Sequence, residues 1–397
     1  MKRFFLLALV AVLIGAAAWI WRHPLSHTHL VQREFLAMGT RISVSVRVDP
    51  GRSDAEAQTG IDAVKASMLD FGKRWWAWGP RCASEARGGP KRPAMEPRFS
   101  SRRLARRSGR AGISDSSSSP ATDGCADIRL ADINYELSLG HAAAIPPAMQ
   151  PLFTRAWQLH LASEGRFEPR IGALVRLWGF DDIARLRSSP PAESEINTAL
   201  AHLRAAPAYE GGAQYGPAPG VSWDFGAIAK GFVVDAALDQ LSAAGFSDAL
   251  VDAGGNLAVR GTLGARPWHI AIHNPRAAAG KDFLAELDAA DESVNTHADD
   301  QRFFEADGHR YGHILDPATG WPAHGLNSVT VVHRDGALAD AGGLALLVAG
   351  RDGWRPLARL LELDQVLVVD EDGHAYATEK LSRRLQPESG VKLNVVP

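Results

Sequence analysis

Residues 223–232 read Trp223-Asp224-Phe225-Gly226-Ala227-Ile228-Ala229-Lys230-Gly231-Phe232, and apolar residues then recur at Val234, Leu238 and Leu241. That recurrence is the spacing of one helix face, so the segment is a strand or loop feeding a helix. Small residues at Gly226, Ala227, Ala229 and Gly231 let a ligand approach the backbone. A helix N-terminus offers unpaired N–H groups and a positive dipole end, to which Lys230 adds a charge. These properties suit a phosphate. The spacing is not that of a P-loop, however, and a small-residue helix entry serves tight packing equally well.

Downstream of this helix, Ala249–Val251 reads as a short strand ending in Asp252-Ala253-Gly254-Gly255-Asn256, and Leu257–Gly261 as another. The paired glycines permit positive φ or close ligand approach, or form a plain hairpin turn. Upstream, Thr40–Val48 alternates, with Ile42, Val44, Val46 and Val48 on one face of a strand punctuated by Gly39 and by Asp49-Pro50-Gly51. A helical pattern over Ala55–Phe71 follows, then the cluster Trp75, Trp76 and Trp78. Ala142–Ser163 is helical in pattern, with Pro146-Pro147 marking its start. Downstream, Trp268–Ile272, Ser328–Val332 and Val366–Val369 alternate like strands, the last leading into the turn Asp370-Glu371-Asp372-Gly373. Hairpin signals interleaved with helices predict an α+β fold rather than a doubly wound sheet. Two further segments carry polar groups. His313 and Asp316 lie three residues apart in a turn-rich stretch, where either could handle protons or serve the turn. Asp340 precedes Ala341-Gly342-Gly343-Leu344 at what reads as the start of an apolar helix, the position of an N-cap.

With 397 residues, 46% hydrophobic and 22% charged, the chain can bury a sizeable core, and its net charge of −2 provides no basic footprint for nucleic acid. Lys2 and Arg3 precede an uncharged apolar run from Phe4 to Trp21, so residues 1–23 are expected to be a signal peptide or an N-terminal membrane anchor. The charges favour an N-terminus held inside and the remaining chain outside the cytoplasm, at the periplasmic face. Residues 81–128 break the pattern: basic residues outnumber acidic ones, Pro, Gly and Ser abound, and apolar periodicity is missing. This segment is expected to be a largely disordered insertion between residues 30–80 and 129–397, with Cys82 and Cys125 near its two ends.

In their order, these blocks resemble the ApbE family of flavin transferases over nearly the whole chain from Phe35 onward. The resemblance rests on Met38-Gly39-Thr40, the Asp224–Gly231 block, Gly254-Gly255-Asn256, Thr296 with Phe303-Phe304, His313-Ile314-Leu315-Asp316-Pro317 with Thr319-Gly320, and Ala339-Asp340. Phe167-Glu168-Pro169 and Leu177-Trp178-Gly179-Phe180 add to it. It implies a T-fold-like α+β architecture of mixed sheets and helices with an FAD cleft between lobes. The activity implied is Mg2+-dependent transfer of FMN from FAD to a threonine of a membrane redox subunit, through a phosphoester, with release of AMP. It implies Asp340 and the carbonyl of Ala227 as metal ligands, and His313 as the catalytic imidazole. Met38, Trp76, Trp78, Asn134, Asp224, Lys230 and Gly255 are implied as FAD contacts. Two departures stand out. The family places a threonine four residues after the metal-binding aspartate, where this chain has Leu344, and Thr-Ser-Gly where it reads Thr296-His297-Ala298. Hydrolysis of FAD to FMN and AMP, or FAD binding without turnover, are the alternatives these leave.

Overall fold

The computed structural model describes residues 29–81, 128–275, 283–299 and 302–397. The expected leader, both cysteines and nearly all of the 81–128 insertion lie outside them. Among the described residues, nine strands form one sheet whose spatial order follows chain order. They are β1 (His29–Ala37), β2 (Thr40–Val48), β3 (Ala249–Ala253), β4 (Asn256–Arg260), β5 (Glu292–Ala298), β6 (Leu326–His333), β7 (Val366–Asp370), β8 (Ala375–Thr378) and β9 (Leu393–Val396). Neighbours are antiparallel except for the parallel pair β8 and β9. The sequence pattern explains the sheet's two faces. On β7, Val366 and Val368 join the helix-side core, while Leu367 and Val369 turn to the other side, against the hairpin of Trp268–His273 and Phe283–Ala289. Covered on both faces, β7 is buried along its whole length.

Eight α-helices accompany the sheet among the described residues: α1 (Asp54–Trp75), α2 (Leu130–Ser138), α3 (Gln150–Ala162), α4 (Gly172–Leu177), α5 (Glu193–Ala205), α6 (Ala229–Ala243), α7 (Gly336–Leu360, broken at Gly350) and α8 (Glu379–Ser382). The fold is α+β, as the interleaved pattern predicts, and β2 keeps its predicted bounds. Helix α1 starts at Ser53, whose side chain and that of Glu56 form a reciprocal capping box.

Two predicted helix starts move. The pattern over Ala142–Ser163 becomes helical only at Gln150, because Ala143–Ala144 pairs with Gln214–Tyr215 and Pro146-Pro147 holds a turn closed by Met149 N–H on the Pro146 carbonyl at 2.8 Å. Helix α7 starts at Gly336, capped by Asp335, whose Oδ1 accepts from Leu338 N at 2.9 Å. Asp340 is therefore inside the helix and not its N-cap.

The antiparallel meander brings chemically marked segments to one end of the sheet. Pairing of Ala37 with Thr40, Ile42 with Ala253, Asn256 with Asn295 and Ser328 with Ala298 sets the Met38–Gly39 turn, the Gly254–Gly255 turn and the end of β5 side by side. On the helix side of the sheet, α6 crosses α7. At Gly231 the helices are so near that an added Cβ would stand 2.1 Å from the Gly336 carbonyl oxygen and 2.8 Å from Asp340 Cβ. Both obstacles belong to the facing helix near its backbone and cannot swing away. Gly231→Ala should therefore lower stability by about 1–3 kcal/mol, the range of core overpacking, when measured by urea denaturation. An unchanged midpoint would show that the two helices part freely.

Candidate active site

The loop entering α6 is held from below. Asn134, buried on α2, spends its amide on Trp223, donating Nδ2–H to the carbonyl at 2.9 Å and accepting from N–H at 2.8 Å. Asp224 N–H bonds the Pro169 carbonyl at 2.8 Å, and Trp223 and Phe225 are fully buried against Phe153. The backbone ahead of Gly226 is thus fixed, and Asn134 acts on the loop through Trp223. Trp78 reaches the same region: a Cβ on Gly172 would meet both its ring and Ser222. Its indole lies beneath Arg176, whose guanidinium carbon is 4.7 Å from the ring centroid. Trp76 is 48% exposed.

Within the loop, Asp224 Oδ1 accepts from Gly226 N at 2.8 Å, and Lys230 Nζ donates to the Gly226 carbonyl at 3.1 Å. Burial raises the Asp224 pKa, against the Gly226 N–H and the charges of Arg302 and Lys230. Helix α6 has no side-chain cap of its own. Its third residue, Gly231, instead donates its N–H to Asp340 Oδ2 of α7 at 2.9 Å. Asp340 thus serves as an N-cap across a helix crossing, where the dipole of α6 favours an anion. Its other oxygen accepts from Asn256 Nδ2 at 2.7 Å, and His297 Nε2 lies 3.2 Å from Oδ1 and 2.7 Å from the Asp340 carbonyl oxygen. The carboxylate is wholly buried. Burial pushes its pKa up, yet the Lys230 charge and the His297 hydrogen bond outweigh this and hold it below the usual carboxylate range.

His313 approaches from the segment between β5 and β6. Its backbone N–H and its Nδ1 meet the Arg302 carbonyl at 3.1 and 3.2 Å. A carbonyl only accepts, so Nδ1 carries the proton and the Nε2 lone pair is left for other work. Burial, then the charges of Arg302, Lys230 and His297, depress the His313 pKa to about 3. A Cβ on Gly39 would lie 4.0 Å from an Arg302 guanidinium nitrogen, which links His313 to the β1–β2 turn. Met38 takes φ 51° there and packs on Gly72 of α1. Gly254, with φ 66°, leaves no room for a Cβ beneath Thr40 Oγ1, and the Gly255 carbonyl accepts from Thr296 N at 3.0 Å.

The structure therefore gathers Asp224, Lys230, Asp340, Gly255 and His313 around one end of the sheet, with Met38 beside them and Asn134 and Trp78 supporting the loop. Asn256, His297 and Arg302 belong to this centre as well. Asn256 was readable only as the residue after the glycine pair, and Arg302 sits in no motif.

The donor set suits a divalent cation in part. Asp340 is anionic, and its oxygens retain lone pairs beyond the hydrogen bonds they accept, while loop carbonyls such as that of Ala227 are hard donors of the kind Mg2+ takes. Leu344 provides no donor and packs, half-buried, against the helix-side core. Asp370, Asp372 and His374 also converge. There Arg351 bonds both carboxylates and His374 N–H bonds Asp370 Oδ1 at 2.8 Å, so the charges are matched internally.

A sequence model of the ApbE family matches residues 124–367. Over 269 residues the chain is 34% identical to the FAD:protein FMN transferase of Rhodobacter capsulatus, a span covering 66% of this chain and 50% of that one. It is 35% identical over 251 residues to the FAD:protein FMN transferase of Treponema pallidum, covering 56% and 66%. The chain thus spans about half to two thirds of the length of these relatives. Among solved structures, the ApbE protein of Thermotoga maritima superposes with a TM-score of 0.68 at 24% identity, covering 90% of this chain and 99% of that one. The flavin transferase ApbE of Vibrio cholerae superposes equally well at 22% identity, with the same coverage.

With its pKa near 3, His313 should remain a neutral, Nδ1-protonated ring from pH 8 down to pH 5 in the ligand-free protein. Nitrogen-15 NMR of histidine-labelled protein, assigned with His313→Gln, should show no titration of this ring in that range. A midpoint between pH 6 and 7 would contradict the burial that sets the shift.

Proposed function

This chain belongs to the ApbE family, and on that premise we propose that it is an FAD:protein FMN transferase. In this reading it binds FAD with a divalent cation, Mg2+ being the one the resemblance implies, and attaches FMN to a threonine of a membrane redox subunit, releasing AMP. The expected leader would hold or deliver it at the periplasmic face. The observation that carries the reading is Asp340: an anionic, wholly buried carboxylate tied to a phosphate-type helix entry and to the segment neighbouring the His313 loop.

Each group then has a task. The carboxylate of Asp340 and the carbonyl of Ala227 would hold the cation, which supplies neutralising charge to the pyrophosphate when bound. Lys230 adds a fixed positive charge, and the N-terminus of α6 an oriented dipole. The N–H groups of Gly226, Ile228, Ala229 and Gly231 are already bonded within the protein, so the small residues of this segment contribute close approach of the phosphates to the backbone and to the helix dipole. Trp76, exposed at the end of α1, and Met38 in the β1–β2 turn offer apolar surface to the flavin ring.

His313 performs the proton step. With Nδ1–H on the Arg302 carbonyl, Nε2 is available as the base. It takes the proton of the acceptor hydroxyl as that oxygen bonds to the flavin-side phosphorus. The bond from this phosphorus to the bridging oxygen breaks, and the electron pair leaves with AMP. The charges of Arg302 and Lys230 that lower the His313 pKa in the ligand-free protein also favour the phosphates, and bound phosphates would offset those charges and raise the ring's pKa towards the range a general base needs.

Incubating the full chain with FAD, a divalent cation and a threonine-bearing acceptor peptide should yield AMP and a fluorescent, mass-shifted peptide in equal amounts. His313→Ala should slow both by about 10²–10⁴-fold, the usual contribution of a general base. AMP without labelled peptide would instead identify an FAD hydrolase. FAD binding with no AMP would identify a binding protein without turnover.

A further inference from the structure

The hydroxyl expected one turn after Asp340 is replaced by Leu344, and a different donor stands against the same aspartate. His297, near the end of β5, is 9% exposed and directs its ring at α7. The ring fits because the facing helix position is Gly343: a Cβ there would lie 2.8 Å from His297 Cδ2. A large ring on the strand is thus matched to an empty position on the helix, beside the carboxylate.

We propose that His297 is the third protein donor of the cation site, an imidazole nitrogen acting with Asp340 and a loop carbonyl, so that the site favours a first-row cation such as Mn2+ over Mg2+. The proposal rests on the transferase reading for the use of the cation, whereas the contact between His297 and Asp340 stands independently of it. The geometry carries it. Two donors at right angles, each about 2.1 Å from one cation, lie about 3 Å apart. Nε2 and Asp340 Oδ1 are 3.2 Å apart. In the cation-free protein both oxygens facing Nε2, Oδ1 and the Asp340 carbonyl, are acceptors, so Nε2 carries a proton. A cation would displace that proton to solvent, and the ring would bind as the neutral Nδ1–H form with its Nε2 lone pair on the metal. Gly231 and Asn256 hold the carboxylate in place meanwhile, as outer partners orient a ligand. Exchanging a hydroxyl for an imidazole disfavours Mg2+, which prefers oxygen, and favours cations that accept nitrogen.

The test is pulsed EPR of the full chain loaded with Mn2+ alone, read together with Mn2+ affinity and its competition by Mg2+. The native protein should show nitrogen coupling from a directly bound imidazole. His297→Ser should lose that coupling and bind Mn2+ at least about tenfold more weakly, since even outer-sphere substitutions have effects of that size. Combining His297→Ser with Leu344→Thr should give tighter Mg2+ binding than in the native chain, again without nitrogen coupling. A native protein with no nitrogen-coupled signal overturns the proposal, whether or not the variants fold, and so does coupling that persists in His297→Ser. AMP release measured on the same samples separates the two claims. Nitrogen coupling without AMP supports the ligand and removes the transferase, and AMP without nitrogen coupling overturns the ligand and keeps the transferase.

Discussion

One carboxylate fixes the centre of this molecule: Asp340, inside α7, capping the N-terminus of α6 through Gly231. A buried charge is strongly unfavourable unless it is hydrogen-bonded and electrostatically matched. Here each oxygen has a donor, from Gly231 and Asn256, and Lys230 and His297 lie close enough to keep it ionised. The packing follows from that requirement. Gly231 must lack a side chain for α6 to come so near, and Asn295 donates to the Gly336 carbonyl at 2.9 Å to set the start of α7 over β5. The sheet in turn places Asn256 opposite Asn295 on adjacent strands, so two neighbouring amides serve the two ends of one helix crossing.

The same arrangement explains why the loop before α6 can be small and polar without collapsing. Its stiffness comes from beneath, from the Asn134 amide on Trp223, the Pro169 carbonyl on Asp224 and the aromatic packing of Phe153 with Trp223 and Phe225. Pro169 is itself held by a buried pair, Arg170 donating to Glu168 at 2.8 Å and stacking over Trp157. The apolar cluster therefore supplies rigidity to the polar loop above it. His313 is positioned separately, through the Arg302 carbonyl, so the proposed base and the proposed phosphate-binding loop belong to different elements and meet only in the fold.

Much of this was legible in the sequence wherever a pattern is local. β2 announces itself by alternation and α6 by helical recurrence, because side chains on one face repeat every two or every 3.6 residues, whereas β7, expected to alternate, is apolar from Val366 to Val369 because both its faces are covered. Asp340, Lys230, His313 and the glycine pair stood out as polar or small residues in short blocks. What local reading missed depended on distant partners. Asp340 looked like a cap of its own helix, yet it caps another helix 109 residues away in sequence. Asn134, implied as an FAD contact, also holds the Trp223 backbone, a partner 89 residues away. His297 looked like a lost serine, and its approach to Asp340 spans 43 residues of chain with no periodicity to reveal it. The start of α3 shifted because a two-residue pairing with Gln214–Tyr215 claimed the residues before it.

In the proposed function Asp340 is the anionic anchor through which a cation strengthens FAD binding. Calorimetric titration of FAD into the full chain, with and without a divalent cation, tests it directly when repeated on Asp340→Asn with its circular dichroism monitored. The cation should tighten FAD binding to the native protein, and this gain should disappear in a folded Asp340→Asn variant. A folded variant that keeps the full cation-dependent gain would contradict it.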